Sequence, residues 1–289
     1  MITFLRFGRA HTLIGTTVSL LTLYLLASRQ TGQQDWSLFA ISLIVCLAAN
    51  IYITGLNQLT DVAIDRINKP YLPLASGAYS MATGRSIVIT CLVLALVGSF
   101  SYQPFLPLTV FSSIVIGTAY SLEPIRLKRY HFWAAFCIIV VRGLIVNLLL
   151  FLHFAHTLLP SFEWTRLPSQ VWLLTGIIFI FGVIIAWFKD LPDVEGDSEF
   201  DINTLSITRS PEWVYRTGAR LLTVTLGVSS IYCFIQNWLS LGVSLAILLI
   251  AFLNIASQLK LEEQTSIARF YQGTWVIFFG IYLSFAAYG

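Results

Sequence analysis

Leu38 through Asp65 reads LFAISLIVCLAANIYITGLNQLTDVAID, an apolar run that passes directly into a regularly spaced polar stripe. No Asp, Glu, Lys or Arg occurs between 38 and 56, and a hydrocarbon layer of about 30 Å takes about 20 such residues in a helix. The run is therefore a candidate transmembrane span. Just beyond it, Asn57, Asp61 and Asp65 stand at i, i+4 and i+8. On a helix they share one face, with about one turn between neighbours.

Similar runs recur near 12–28, 86–101, 105–121, 133–153, 171–188, 220–236, 239–257 and 273–288, which with 38–56 makes about nine spans. The third and fourth are short. Of the 289 residues, 57% are hydrophobic and 11% charged, and the mean hydropathy is +0.79. That composition excludes an ordinary soluble domain and predicts an all-α polytopic membrane protein, one domain over 1–289, with the lipid bilayer as its solvent. A formal charge of +3 is too small to imply a nucleic-acid partner. Cys46, Cys91, Cys137 and Cys233 lie singly in apolar runs with no metal-ligand spacing, and read as small buried hydrophobes. The first residues carry no signal-peptide cleavage site, so no leader is expected to be removed.

Gly32, Gln103-Pro104, Pro160 with Pro168, and Asn237 mark loops on one side of the membrane. Arg29 and Arg166 are the basic residues of that side. The other side holds the N-terminal Arg6 and Arg9, Arg66, Lys69, Arg85, Arg126, Lys128, Arg129, Lys189, Arg209, Arg216, Arg220, Lys260 and Arg269. By the positive-inside rule the N-terminus and these loops face the cytoplasm, across a plasma or thylakoid membrane. All fourteen acids except Asp35 and Glu163 lie on the same side.

A second acidic motif, Lys189-Asp190-Leu191-Pro192-Asp193-Val194-Glu195-Gly196-Asp197, follows the sixth span and opens on the same face. Superposing the motifs by spacing pairs Asn57 with Lys189, Gln58 with Asp190, Asp61 with Asp193 and Asp65 with Asp197. Converging carboxylates repel unless a cation joins them. Mg²⁺ suits the pattern, because it binds one or two carboxylates and completes its shell with substrate phosphates and water. A single D-x-x-x-D would be an ordinary solvated helix face. Two in register at span ends point to a site. Lys69, Arg126, Lys128 and Lys189 are then candidate phosphate ligands. An ion-coupled transporter is the competing class, but its acids belong near the middle of broken helices, and these lie at span ends.

These motifs resemble those of the UbiA-type membrane prenyltransferases, which pair N-D-x-x-D-x-x-x-D with D-x-x-D-x-x-x-D on about nine helices around a central cavity. Residues 57–77 and Phe188 to Asp197 are similar to the homogentisate prenyltransferase branch in particular. Arg9-Ala10-His11-Thr12, Tyr120-Ser121 with Pro124 and Arg126 to Arg129, and Val141-Arg142-Gly143 with Asn147 agree. Gln58 stands where many superfamily members have the first Asp, and Leu72 where many have Arg. Both departures are usual in the homogentisate branch.

The resemblance implies Mg²⁺-dependent transfer of a prenyl group, phytyl in the first instance, from prenyl diphosphate to homogentisate, with loss of CO₂ and diphosphate, towards tocopherol or prenylquinones. Another acceptor or chain length, geranylgeranyl or solanesyl, is the alternative. It assigns Asp61, Asp65, Asp193 and Asp197 as catalytic, and these with Asn57 and Asp190 as metal ligands. Asn57, Lys69, Arg126, Lys128, Arg142 and Lys189 are the expected substrate-binding residues. Arg142, mid-way along the fifth span, reads equally as a grip on a substrate anion or as a strut within the bundle. His11 is expected to be an interfacial hydrogen-bonding residue, and Asn147 to bond between helices.

Overall fold

The structure, a computed structural model, describes residues 2–163, 165, 167–194, 199 and 204–288. Its helices begin and end where local chemistry dictates. Asp35 opens α3 (Trp36–Thr60) by accepting from the backbone N–H groups of Ser37 and Leu38 at 2.9 and 3.1 Å, which satisfies donors the first turn leaves without partners. Gly32 closes α2 (Ala10–Thr31) in the left-handed conformation at φ 69°, open to glycine without strain. α1 is Ile2–Phe7, α4 Val62–Asn68, α5 Met81–Ser99 and α6 Phe105–Ser121. α7 runs over 131–158 and α8 over Ser169–Phe188. The short α9 is Leu205–Thr208, and α10 is Pro211–Ile235, α11 Leu239–Ser257 and α12 Gln264–Ala287.

Among the described residues, eight helices are long and apolar enough to cross a membrane, and the shorter α6 makes a ninth apolar helix of 17 residues. The windows expected at 220–236 and 273–288 are wider in the structure, starting at Pro211 and Gln264. Their first turns are polar, yet the backbone hydrogen-bond ladder continues through them, and Ser210 caps α10 by accepting from Trp213 N–H at 3.1 Å. The third span, expected short at 86–101, runs instead from Met81, where Ser80 caps it through Thr83 N–H at 3.0 Å.

The spanning helices form a closed ring in the order α2, α3, α5, α6, α7, α8, α10, α11, α12 and back to α2. The C-terminal part of α7 crosses the interior against α2. There Leu20, Leu23, Tyr24, Phe151 and Phe154 are all at most 1% exposed, and they plug one end of the ring. At this end Arg29 donates to the carbonyls of Ala286, Phe285 and Tyr288 that close α12, so it caps a helix C-terminus. Outward faces carry exposed Ile89, Val97, Val228, Ile235 and Ile250, as lipid contact requires. With no hydrophobic drive between helices in lipid, packing and interhelical hydrogen bonds hold the ring. Asn50 donates to Thr16 Oγ1 at 2.7 Å, Tyr52 pairs with Thr118 at 2.8 Å, and Ser42 with His153 at 2.8 Å. The four cysteines are free, with Cys46, Cys137 and Cys233 buried and Cys91 half-buried.

Candidate active site

Opposite the plug the ring opens, and both acidic motifs meet there. The first stripe is not one straight helix. α3 stops at Thr60, Asp61 leaves helical geometry (φ −114°, ψ 15°), and α4 begins at Val62. Registration survives the break, because Asp65 N–H still bonds Asp61 O at 2.7 Å and Asn57 Nδ2 donates to Asp61 Oδ2 at 2.7 Å. The second motif is not helical through Asp193. Residues 189–193 form a turn after α8, since Pro192 has no N–H to donate and drives Leu191 out of the helical region. Gln264 Nε2 holds the turn through Pro192 O at 2.8 Å. Asp197 lies outside the described residues.

Asp61, Asp65, Asp190 and Asp193 are all buried, each at most 9% exposed, and they wall one cavity of about 690 Å³ together with Asn57, Lys69, Lys128 and Lys189. Basic residues engage the acids directly. Lys69 pairs with Asp193 and Lys128 with Asp61, while Lys189 Nζ lies 2.5 Å from Asp190 Oδ1. Arg126 is the exception among the expected phosphate ligands. It contacts Asp61 at 3.3 Å and Glu123 at 3.1 Å and does not itself line the cavity.

Burial raises the Asp65 carboxyl to about 6, against the pull of Arg9 and Lys69, and Asp61 and Asp193 raise it further. Burial also raises Asp190, opposed by Lys189. Lys128 is lowered by burial despite Asp61. Lys69 is likewise penalised by burial, but Asp193 and Asp65 outweigh that and raise it. Among the described residues, Asp65 Oδ2 and Asp193 Oδ1 are buried acceptors without a hydrogen-bond partner. Such oxygens suit a hard cation. Among the described residues no group of three His, Cys, Asp or Glu side chains could hold a metal ion by itself. The donor set therefore fits an ion that takes one or two carboxylates and draws the rest of its shell from phosphate and water, as Mg²⁺ does.

Several wall residues were not assigned from spacing. Arg9 donates to Asn57 Oδ1 at 2.8 Å and lies between the charged cavity and a second, apolar one of about 250 Å³ running into the ring. Tyr120, Tyr271 and Trp275 line both cavities. His11 also lines both and packs on Trp275 with ring centroids 4.8 Å apart, without a side-chain hydrogen bond among the described residues. It is a cavity wall rather than the interfacial hydrogen-bonding residue expected. Gln58 faces away from the site, donating to Phe7 O at 2.6 Å. A carboxylate there has no proton to donate. Leu72 is buried and contributes an apolar patch to the charged cavity.

Arg142 lines the apolar cavity, with its guanidinium 5.1 Å from the Trp275 ring centroid. Asn147 donates to the carbonyls of Arg142 and Gly143 and accepts from Tyr282 O–H at 2.7 Å, so it does join α7 to α12.

A charged rim of paired acids and bases above an apolar pocket suits a ligand with an anionic head and a hydrocarbon tail. The UbiA prenyltransferase family pattern matches residues 16–282. The chain belongs to the UbiA prenyltransferase family. Its relatives include the homogentisate phytyltransferase of Synechocystis sp., 44% identical over 97% of this chain and 93% of that protein. The chloroplastic homogentisate solanesyltransferase of Arabidopsis thaliana is 32% identical over 97% of this chain and 75% of that one. The UbiA homolog from Archaeoglobus fulgidus, solved with DMAPP and Mg²⁺, shares the fold with a TM-score of 0.65, 16% identity and 97% and 99% coverage of the two chains. In this UbiA member the acids lie at helix ends on the cavity rim, not mid-membrane as a transporter site requires.

Proposed function

We propose that this chain transfers a prenyl group, phytyl in the first instance, from its diphosphate to homogentisate in a Mg²⁺-dependent reaction releasing diphosphate and CO₂. The observation that carries this reading is the convergence of both acidic motifs and their basic partners on one cavity that continues into an apolar pocket. The names of the relatives, phytyl- and solanesyltransferases of homogentisate, support the acceptor. The A. fulgidus homolog with its prenyl diphosphate and Mg²⁺ supports the donor class and the metal.

Asn57, Asp61 and Asp65 from the first motif and Asp190 and Asp193 from the second, with Asp197 completing that motif, would supply the Mg²⁺ ligands, any one ion taking one or two of these carboxylates and the rest of its shell from phosphate and water. Mg²⁺ bound there supplies positive charge to the leaving diphosphate. Lys69, Lys128 and Lys189, with Arg9, offer ammonium and guanidinium donors to phosphate oxygens, and Arg126 orients Asp61. The apolar cavity takes the prenyl chain and keeps water from the allylic cation formed as the C–O bond opens. A homogentisate ring carbon attacks prenyl C1, the C–O electron pair leaves with the diphosphate, and the ring gives up a proton. The acetate arm loses CO₂ and takes up a proton, leaving a methyl group.

We also read the N-terminus and motif loops as cytoplasmic, on the excess of basic residues at that end.

The test is mass analysis of products from purified protein given homogentisate, phytyl diphosphate and Mg²⁺. A methyl-phytyl-benzoquinol that disappears with EDTA is the expected result. Its absence with every prenyl diphosphate offered would overturn the reading.

A further inference from the structure

Among the described residues, Arg142 has no carboxylate partner and no side-chain hydrogen bond; the contact it makes is with the face of Trp275. A guanidinium in the membrane interior is costly, and is retained when a partner or a cavity needs it. No helix end or broken backbone of the described residues accepts from it, as a strut would require. Its partner is therefore expected from the ligand. The diphosphate already has Arg9, Lys69, Lys128 and Lys189 at the charged rim. The anion left without a counter-charge is the carboxylate of the acceptor.

The backbone around Arg142 is built for aim. Val140–Leu149 forms a π-helix, a widened stretch inside α7 of a rare kind that is frequently found at functional sites. Gly143 presses this turn against α8 so closely that a Cβ would lie 2.8 Å from Phe179 Cα. Asn147, fully buried, ties the turn together through its bonds to the Arg142 and Gly143 carbonyls at 3.1 Å each. Tyr282 O–H fixes Asn147 in turn.

Resting on the reading of homogentisate as acceptor, we propose that Arg142 anchors the acceptor's carboxylate through its planar fork, and that Asn147 and Tyr282 are positioning residues that hold its turn open. A guanidinium pairs with a carboxylate through two parallel hydrogen bonds, which an ammonium cannot reproduce.

The experiment is steady-state kinetics of wild type, Arg142→Lys and Tyr282→Phe against both substrates, with inhibition by 2-hydroxyphenylacetate and its neutral amide. Arg142→Lys should raise the homogentisate KM and the 2-hydroxyphenylacetate Ki about tenfold or more, leaving the prenyl diphosphate KM within about twofold. Tyr282→Phe should move the same two constants about threefold, since it loosens aim without removing charge. On the wild type, the amide should inhibit at least about tenfold more weakly than the acid, a comparison that stands even if Arg142→Lys misfolds. Equal inhibition by acid and amide, unaltered homogentisate constants in folded Arg142→Lys, or a shift in the prenyl diphosphate KM instead, would each overturn the inference. Turnover of homogentisate by the wild type with such constants defeats this inference alone. No prenylated homogentisate at all defeats the functional reading and this inference with it.

Discussion

Asp61 is held by two cations, Lys128 and Arg126, and both Asp61 and Lys128 are buried. Removing one member of a buried pair strands the other, at a cost of about 3–5 kcal/mol. Asp61→Asn should therefore lower the melting temperature of the detergent-solubilised protein, and Lys128→Met added to it should recover much of the loss. Turnover should stay about 100-fold or more below wild type in both. Recovery of turnover in the double variant would show that Asp61 serves only to neutralise Lys128. Gln58 gives the complementary case, because its amide donates to Phe7 O. Gln58→Asp loses that donor and buries a carboxylate against a carbonyl, costing about 1–3 kcal/mol. Folded yield should fall while turnover per folded molecule holds, which size-exclusion recovery and active-site titration measure together. The i, i+4 spacing of Asn57, Asp61 and Asp65 was legible in the sequence because the break at Asp61 leaves that register intact. Arg9, Tyr271 and Trp275 carried no such signal. They meet the motifs because ring closure sets α12 beside α2, a contact between the two ends of the chain that local spacing does not encode.

At the scale of elements, the nine apolar runs appear as helices because hydrophobic length is the dominant constraint in a bilayer, where every backbone group must bond within its own helix. Gly32 and Asn237 mark turns for a stated reason, both having positive φ, at 69° and 59°. The non-helical turn of the second motif is legible in Pro192, which has no N–H to donate, although the motif's spacing matches that of the first stripe. The π-helix within α7 left no periodic trace, and the bond between Tyr282 and Asn147 that accompanies it joins residues far apart in the chain. Close contact of that turn with α8 yields a paired test. Gly143→Ala puts a Cβ against the Phe179 backbone and should cost about 1–3 kcal/mol. Gly176→Ala in α8 meets nothing within 4 Å and should leave stability unchanged. Thermal unfolding of both in the same detergent checks this, and equal melting temperatures would contradict the packing described.

For the whole molecule, a ring plugged at one end by Tyr24, Phe151 and Phe154 and open at the other explains why charge and chemistry share one face. Cysteines introduced singly at Arg66 and Arg209 should react with an impermeant thiol reagent from one side of sealed vesicles, and those at Gln33 and Asn237 from the other. Labelling of 66 and 209 from opposite sides would contradict the topology. In the proposed reaction the same asymmetry assigns ionisation to the charged rim and the prenyl chain to the apolar pocket. Each transfer in that reaction releases one diphosphate and one CO₂ for each prenylated quinol formed. The most direct test follows labelled CO₂ from carboxyl-labelled homogentisate together with diphosphate release, in purified protein with phytyl diphosphate, with and without Mg²⁺. Equal amounts of CO₂, diphosphate and prenylated quinol, all lost without Mg²⁺ and in Asp193→Ala, are expected. Diphosphate release without CO₂ or quinol, or undiminished turnover in Asp193→Ala, would contradict the account.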